Sequence, residues 1–157
     1  EDRVLDMAQI MDKVRRDAES LSAGRHQIVA EIDGQSDLRG SEQELVSAFT
    51  NLVSNAIRYT PTGGTVSLRW QADGQGGVFS VQDTGIGIDA QHLPRLTERF
   101  YRVDRGRSRD VGGTGLGLAI VKHALSRHQA QLDIKSTPGV GSCFTARFPA
   151  GRISNPG

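Results

Sequence analysis

Cysteine is almost absent: Cys143 is the single one among 157 residues. That excludes a disulfide framework and any cysteine-rich metal site, and it agrees with a reducing compartment. Charge of one sign is not in excess either, because 19 basic residues oppose 18 acidic ones for a net charge of +1. No global field therefore points to nucleic acid. No apolar run approaches the ~20 residues of a membrane span, and the start carries no signal-peptide pattern. Lysine is scarce, at Lys13, Lys122 and Lys135, and none follows a glycine as G-K-[ST], so there is no P-loop. The histidines His26, His92, His123 and His128 are scattered and make no HExxH or other metal spacing. They read mostly as surface or packing residues. No nucleophile–base arrangement is visible, and there is no internal repeat. What is there suits a globular chain: 24% charged and 36% hydrophobic residues, in a length that allows one domain with its own core. The chain opens inside a helical pattern without a Met, so a piece of a longer protein is expected.

Periodicity gives the elements. Val4, Met7, Met11, Val14, Ala18 and Leu21 recur at spacings of three and four, which predicts an amphipathic helix over 4–21. It covers under three heptads, so packing on its own domain is expected rather than the end of a coiled coil. "HQIVAEID" alternates Ile28, Ala30 and Ile32 and reads as a strand. "SEQE" sets Ser41 three residues before Glu44, a capping-box start. The helix behind it carries Leu45, Ala48, Phe49, Leu52, Val53, Ala56 and Ile57, and it ends near the breaker "TPTGG". "TVSLRW" and "GVFSVQD" alternate with period two and are joined by the polar "QADGQGG". Residues 91–97 read as a short helix and 98–113 as a mobile loop. "TGLGLAIVKHALSRH" is a helix opening on glycines, "QLDIKST" and "SCFTARF" are strands around the turn "PGVG", and "GRISNPG" is a loose tail. Helices segregated on one face of a mixed sheet fit this order, so the fold class is α+β in two layers.

Four groups of residues could carry chemistry. In "VFSVQD" the alternation puts Asp83 on the face of Phe79 and Val81, toward the core. A buried carboxylate is costly unless strong donors meet it; the exocyclic amine of a purine is one such donor, and a turn or helix cap is the plainer explanation. Gly85 and Gly87 follow at once and suggest backbone that approaches something closely, or simply a bend. Asn51 and Asn55 lie at i,i+4 on one shoulder of the apolar arc of their helix, at about 100° per residue. Asn is a mediocre helix former, and its carbonyl is a hard oxygen that suits Mg²⁺, although two solvated surface residues would read the same. Arg58 and Tyr59 follow on that side and could offer a cation and a ring. Gly113, Gly115 and Gly117 open a helix, whose N-terminal N–H groups form an anion site. A charged loop precedes them instead of a strand, so the dinucleotide fingerprint fails in context. The loop itself carries Arg95, Arg99, Arg102, Arg105, Arg107 and Arg109. A flap that places one or two guanidinium groups on a triphosphate fits better than a nucleic-acid surface, because acidic residues dilute the charge and only Phe100 and Tyr101 could stack on bases.

In order and spacing, the asparagine-bearing helix, "DTGIGI", "RFYR" and "GTGLGLAI" resemble the N, G1, F and G2 boxes of sensor histidine kinases. Those kinases belong to a wider group of ATPases and kinases that includes gyrase, Hsp90 and MutL. The resemblance covers residues 5–149, and the wording of "PRLTERFYRVDRGRSR" and "GGTGLGLAIVKHALSRH" is most similar to the phosphate-regulon branch. It implies a two-layer α/β sandwich, a mixed sheet of five strands backed by three helices, with a mobile lid over ATP. It implies a catalytic and ATP-binding domain over 1–150 and a tail over 151–157. Asn55 would ligate Mg²⁺ with Asn51 supporting it, Arg58 would face phosphate, and Tyr59 would line the adenine site. Asp83 would accept the adenine amine, with Gly85 and Gly87 laying backbone against the base. Arg102 would reach the γ-phosphate, and Gly113, Thr114, Gly115, Leu116 and Gly117 would close the flap over the phosphates.

The family's phosphoacceptor His is followed by Glu or Asp, whereas these four histidines are followed by Gln27, Leu93, Ala124 and Gln129. The resemblance therefore implies the kinase half alone. It would donate the γ-phosphoryl group of Mg-ATP to a His on a separate dimerisation domain of the same parent, and would not phosphorylate itself. The implied partners are that domain and a cognate response regulator, not nucleic acid. The parent would be a homodimer anchored in the bacterial inner membrane, with this piece a cytoplasmic monomer. The alternative is a gyrase- or Hsp90-type ATPase whose nucleotide drives a conformational switch. Those enzymes carry a Glu one turn before the metal-binding Asn, and here that position is Asn51. A nucleotide-binding module without chemistry is the third reading.

Overall fold

The computed structural model describes residues 2–33, 37–73, 75–87 and 117–154. Its first helix, α1, spans Met7–Ser22, with Asp6 as N-cap accepting from the N–H groups of Ala8 and Gln9 at 3.0 and 3.4 Å. The helix stops at Ala23, whose left-handed conformation (φ 53°) sends its N–H to the Glu19 carbonyl. The buried stripe is Met7, Ile10, Met11, Val14, Ala18 and Ser22. Val4 and Leu21, expected on that stripe, are 41% and 45% exposed. The cap at Asp6 explains Val4: it leaves residues ahead of it extended, and Arg3–Leu5 form a strand, β1.

Five strands make the main sheet. They are β2 (Gln27–Asp33), β4 (Thr65–Asp73), β5 (Gly76–Asp83), β6 (Gln131–Thr137) and β7 (Gly141–Pro149), in the order β2-β4-β5-β7-β6. Only β2 and β4 run parallel, because the chain between them crosses over through α2, Glu42–Arg58. The sheet is mixed, as expected. The connector expected at "QADGQGG" is shorter, since the strands pair through Asp73↔Gly76. A second, small sheet was not foreseen. It joins β1, β3 (Asp37–Gly40) and β8 (Ile153–Ser154), all antiparallel. Of the tail expected to be loose, the described residues 151–154 continue a 3-10 turn over Ala150–Arg152 into a strand on β3, and 155–157 lie outside the described residues.

α1, α2 and the third helix, α3 (Gly117–Arg127), lie on one side of the main sheet. The seven apolar positions anticipated on α2 are all buried. Phe49 is at their centre: its ring stacks on Phe79 of β5 with centroids 4.0 Å apart and meets Phe148 of β7 edge-on at 6.2 Å. Such rings dominate core energetics. The opposite face of the sheet is polar, with Arg69 paired to Asp33 and Arg147 to Asp133, the alternation expected of a sheet solvated on one side. Among the described residues no helix is long and apolar enough to cross a membrane.

α2 and α3 are also tied at one end. Ser41 caps α2 through Glu44 N–H at 3.4 Å, but the other half of the capping box is replaced. The Ser41 N–H donates instead to Nε2 of buried His128 at 3.0 Å, while Glu44 pairs with Arg127 at 2.7 Å. Arg152 closes the same corner, donating to Asp2 (2.7 Å), to Gln129 Oε1 (2.6 Å) and to the Arg39 carbonyl (3.3 Å). Its side chain is only 16% exposed. Arg152→Ala removes these bonds, whose acceptors lie at an exposed corner, and should lower the urea midpoint modestly; an unchanged midpoint would show that the Arg152 side chain adds nothing to stability.

Candidate functional site

The candidate site is a strip where the C-terminal half of α2, the end of β5, the β6–β7 hairpin and the start of α3 meet. Asp83 is its most constrained residue. It is 4% exposed, on the same face as Phe79 and Val81, as the alternation required. Its Oδ1 accepts from the backbone N–H of Gly85 at 2.9 Å and of Ser142 at 3.2 Å. Among the described residues nothing donates to Oδ2. Burial pushes the Asp83 carboxyl above its ordinary value, and the two backbone donors pull it back only in part. Oδ2 is not sealed from solvent, since Thr50 Oγ1 alone among the described side-chain polar atoms is both fully buried and without a partner; an oxygen on the open side of a buried carboxylate can accept a ligand's donor in place of water.

The glycines after Asp83 have packing reasons. A Cβ on Gly85 would overlap the Tyr59 carbonyl oxygen, and one on Gly87 (φ +76°) would overlap the Thr137 carbonyl. Their close neighbours in the structure are protein backbone, with Asp83 Oδ1 also 2.9 Å from a Cβ on Gly85. The segment is held by further bonds: Ile86 N–H to the Tyr59 carbonyl at 3.1 Å, Gly139 N–H to the Ile86 carbonyl at 2.7 Å, and Thr84 N–H to the Thr65 carbonyl at 3.1 Å. Tyr59 itself caps α2, its N–H donating to the Asn55 carbonyl at 3.2 Å.

On α2, Asn51 and Asn55 are half-buried and one turn apart. Asn51 Nδ2 donates to the Ser47 carbonyl at 2.8 Å, which turns Oδ1 toward Gly117, the first residue of α3. Asn55 Oδ1 accepts from Arg58 Nη1 at 3.4 Å, and Arg58 Nη2 donates to Ser54 Oγ at 3.3 Å. No three His, Cys, Asp or Glu side chains converge among the described residues. A cation here would therefore draw on an amide oxygen, water and phosphate oxygens, a donor set that fits Mg²⁺.

The structure thus brings Asn51, Asn55, Arg58, Tyr59, Asp83, Gly85, Gly87 and Gly117 into one strip. Arg102, Gly113, Thr114, Gly115 and Leu116 lie outside the described residues, as do the expected short helix at 91–97 and the arginine loop at 98–113. Sequence reasoning missed Ser142, whose N–H holds Asp83, whereas His26, read as a surface or packing residue, is a packing residue. The His26 ring lies 2.6 Å from the Thr60 carbonyl through Nε2 and 2.9 Å from Ser22 Oγ through Nδ1, bracing the end of α2 against α1. A backbone donor leaves no trace in residue type, so only the glycine-rich turn before Ser142 signalled it.

A two-layer sandwich with a carboxylate at a buried strand end and amides on the facing helix defines a class, and comparison with known proteins agrees. The chain belongs to the histidine kinase-, DNA gyrase B-, and HSP90-like ATPase family, which residues 40–152 match. It is similar to the phosphate regulon sensor protein PhoR of Pseudomonas aeruginosa, at 57% identity over 92% of the chain, and to PhoR of Haemophilus influenzae, at 42% over 94%. It spans 33% and 35% of those proteins, about a third of their length. Among solved structures it resembles the mycobacterial sensor histidine kinase MprB, with a TM-score of 0.81 and 26% identity over 94% of this chain and 97% of that one.

Asp83 carries a stability consequence. A carboxyl whose folded value is raised binds its proton more tightly when folded, so stability falls as pH rises from the ordinary Asp value through the raised one. Asp83→Asn keeps an oxygen for both N–H donors and removes the buried charge. The variant should be the more stable protein at pH 7, and the gain should vanish as pH falls to about 4, near the ordinary Asp value. Urea midpoints at the two pH values test this; a variant less stable than wild type at pH 7 refutes it.

Proposed function

We propose that this chain is the ATP-binding and catalytic half, residues 1–150, of a phosphate-responsive sensor histidine kinase. The observation that carries the reading is the unmatched Oδ2 of buried Asp83, aligned in one strip with the amides of α2. Asp83 accepts the adenine amine, and Tyr59, Gly85 and Gly87 border the base. Asn55 offers its oxygen to Mg²⁺, with Asn51 supporting it and Arg58 facing phosphate. When bound, the metal neutralises charge on the phosphate oxygens. Arg102 takes the γ-phosphate, and Gly113, Thr114, Gly115, Leu116 and Gly117 cover the phosphates from the start of α3.

The γ-phosphoryl group passes to a ring nitrogen of a His on the dimerisation domain of the parent protein, with the bond to the β,γ-bridging oxygen breaking and ADP leaving. Such transfer depends on positioning and charge stabilisation more than on covalent work by the protein. The phosphoryl group then serves a response regulator. The kinship with the phosphate regulon sensor proteins supports phosphate as the regulating signal; a homodimeric parent anchored in the inner membrane, with this piece in the cytoplasm, is part of the same proposal. Hydrolysis as the main activity needs a base beside the metal-binding Asn. Asn51 is an amide anchored to the Ser47 carbonyl and cannot accept a proton.

Calorimetric titration of Mg-ATP into the chain should give a saturating isotherm that returns to baseline. Heat continuing after each injection means turnover and favours the ATPase reading. Asp83→Asn should weaken ATP by about 10–100-fold, because the amide loses a charged acceptor and presents a wrong donor. Asn55→Ala should abolish the Mg²⁺ dependence of binding; dependence that survives places the metal elsewhere.

A further inference from the structure

The β6–β7 hairpin, which the proposed reaction does not use, grips the segment 83–87 at several points. Ser142 N–H holds Asp83 Oδ1 at 3.2 Å, and Gly139 N–H holds the Ile86 carbonyl at 2.7 Å. Gly87 rests against Thr137 and Pro138. Asp83 and Ser142 are cross-strand partners in the β5–β7 ladder. Between these contacts is Gly141, with φ +147°, a conformation that side-chain-bearing residues rarely adopt. A Cβ there would overlap the Asp83 carbonyl oxygen and lie 3.1 Å from Thr84 Cα. From the other side, Ser136 of β6 donates its hydroxyl to the Gly141 carbonyl at 3.1 Å and lies 2.7 Å from Ser142 Oγ. Gly141 can therefore retreat from Asp83 only by disturbing β6.

We infer that Gly141 is a positioning residue for base recognition. Its missing side chain lets β7 close on β5 until the Ser142 N–H fixes Oδ1 of Asp83, which leaves Oδ2 as the acceptor presented to a ligand. The pairing of Gly85 N–H and Ser142 N–H on the same oxygen matters here. With Gly85 alone, within two residues of Asp83, the carboxylate is held from its own strand and can swing. With Ser142 added, it is held from two elements. The hairpin thereby sets selectivity for a base that offers an amine where Oδ2 points.

This inference rests on the reading of Asp83 as the adenine acceptor, and the test separates the two. The probes are ATP and ITP, which carries a carbonyl in place of the exocyclic amine. Wild-type chain should bind ATP more tightly than ITP. A wild type that does not discriminate overturns the reading of Asp83, and the role of Gly141 with it. Given discrimination, Gly141→Ala should weaken ATP by about tenfold, the scale of one hydrogen bond to a charged group, and leave ITP unchanged. Equal weakening of both nucleotides, or of neither, overturns the inference, because a merely structural glycine has no reason to distinguish them. If Gly141→Ala does not fold, replacing the amide of residue 142 by an ester through semisynthesis removes the N–H alone. The same selective loss supports the inference, and retained discrimination defeats it.

Discussion

The desolvation of one carboxylate is the constraint on which the arrangement turns. Asp83 ends a strand whose inward face is otherwise Phe79 and Val81. An ionised group there is costly, and each backbone donor returns roughly 1.5–3 kcal/mol. Two donors on one oxygen leave the account unbalanced, which is why the carboxyl is pushed upward. Among the described residues no donor meets the remaining oxygen, which is left for water or a ligand to match. Stability is surrendered at the place where recognition is gained.

Everything around Asp83 serves to hold that imbalance in place. α2 cannot slide on the sheet, because Phe49 is stacked on Phe79 four residues before Asp83. Its C-terminal end is braced by His26 through the Thr60 carbonyl. Its N-terminal end is bound to α3 by His128 and by the Glu44–Arg127 pair. The strand extension after Asp83 runs between the Tyr59 carbonyl on one side and the β6–β7 hairpin on the other, with glycine wherever a Cβ would collide. The rigid scaffold and the strip of polar groups are one construction.

Much of this was legible in the residues, and the failures have physical reasons. α2 was read position by position, since seven apolar residues at a 3.6 period leave little choice. The inward turn of Asp83 followed from strict alternation along β5. The fold class followed from the order of elements together with the family resemblance. β1, β3 and β8 escaped because strands of two to four residues hold no readable period. Leu5 and Leu38, cross-strand partners, are the buried apolar anchors of that small sheet, and the pairings that define it join residues far apart in the chain. Val4 was misplaced because apolar spacing ran past the Asp6 cap, a local signal that outranks periodicity at a helix start. In the site, side chains were legible and backbone donors were not. Ser142 acts through its N–H, a group that every residue but proline has.

The scarcity of cysteine acquires a practical meaning from the register of β7. Cys143 directly follows Ser142, but alternation turns its side chain to the opposite, polar face of the sheet, 3.7 Å from Thr145 Oγ1 and across from Gln82. The chain thus carries one thiol, half-buried, whose backbone is continuous with the strand that grips Asp83 while its sulfur lies behind the sheet. A fluorophore or spin label attached there would sit behind the sheet on the strand that pairs with β5, without standing in the cleft. The molecule comes with its own reporter site, and no competing thiol has to be removed first.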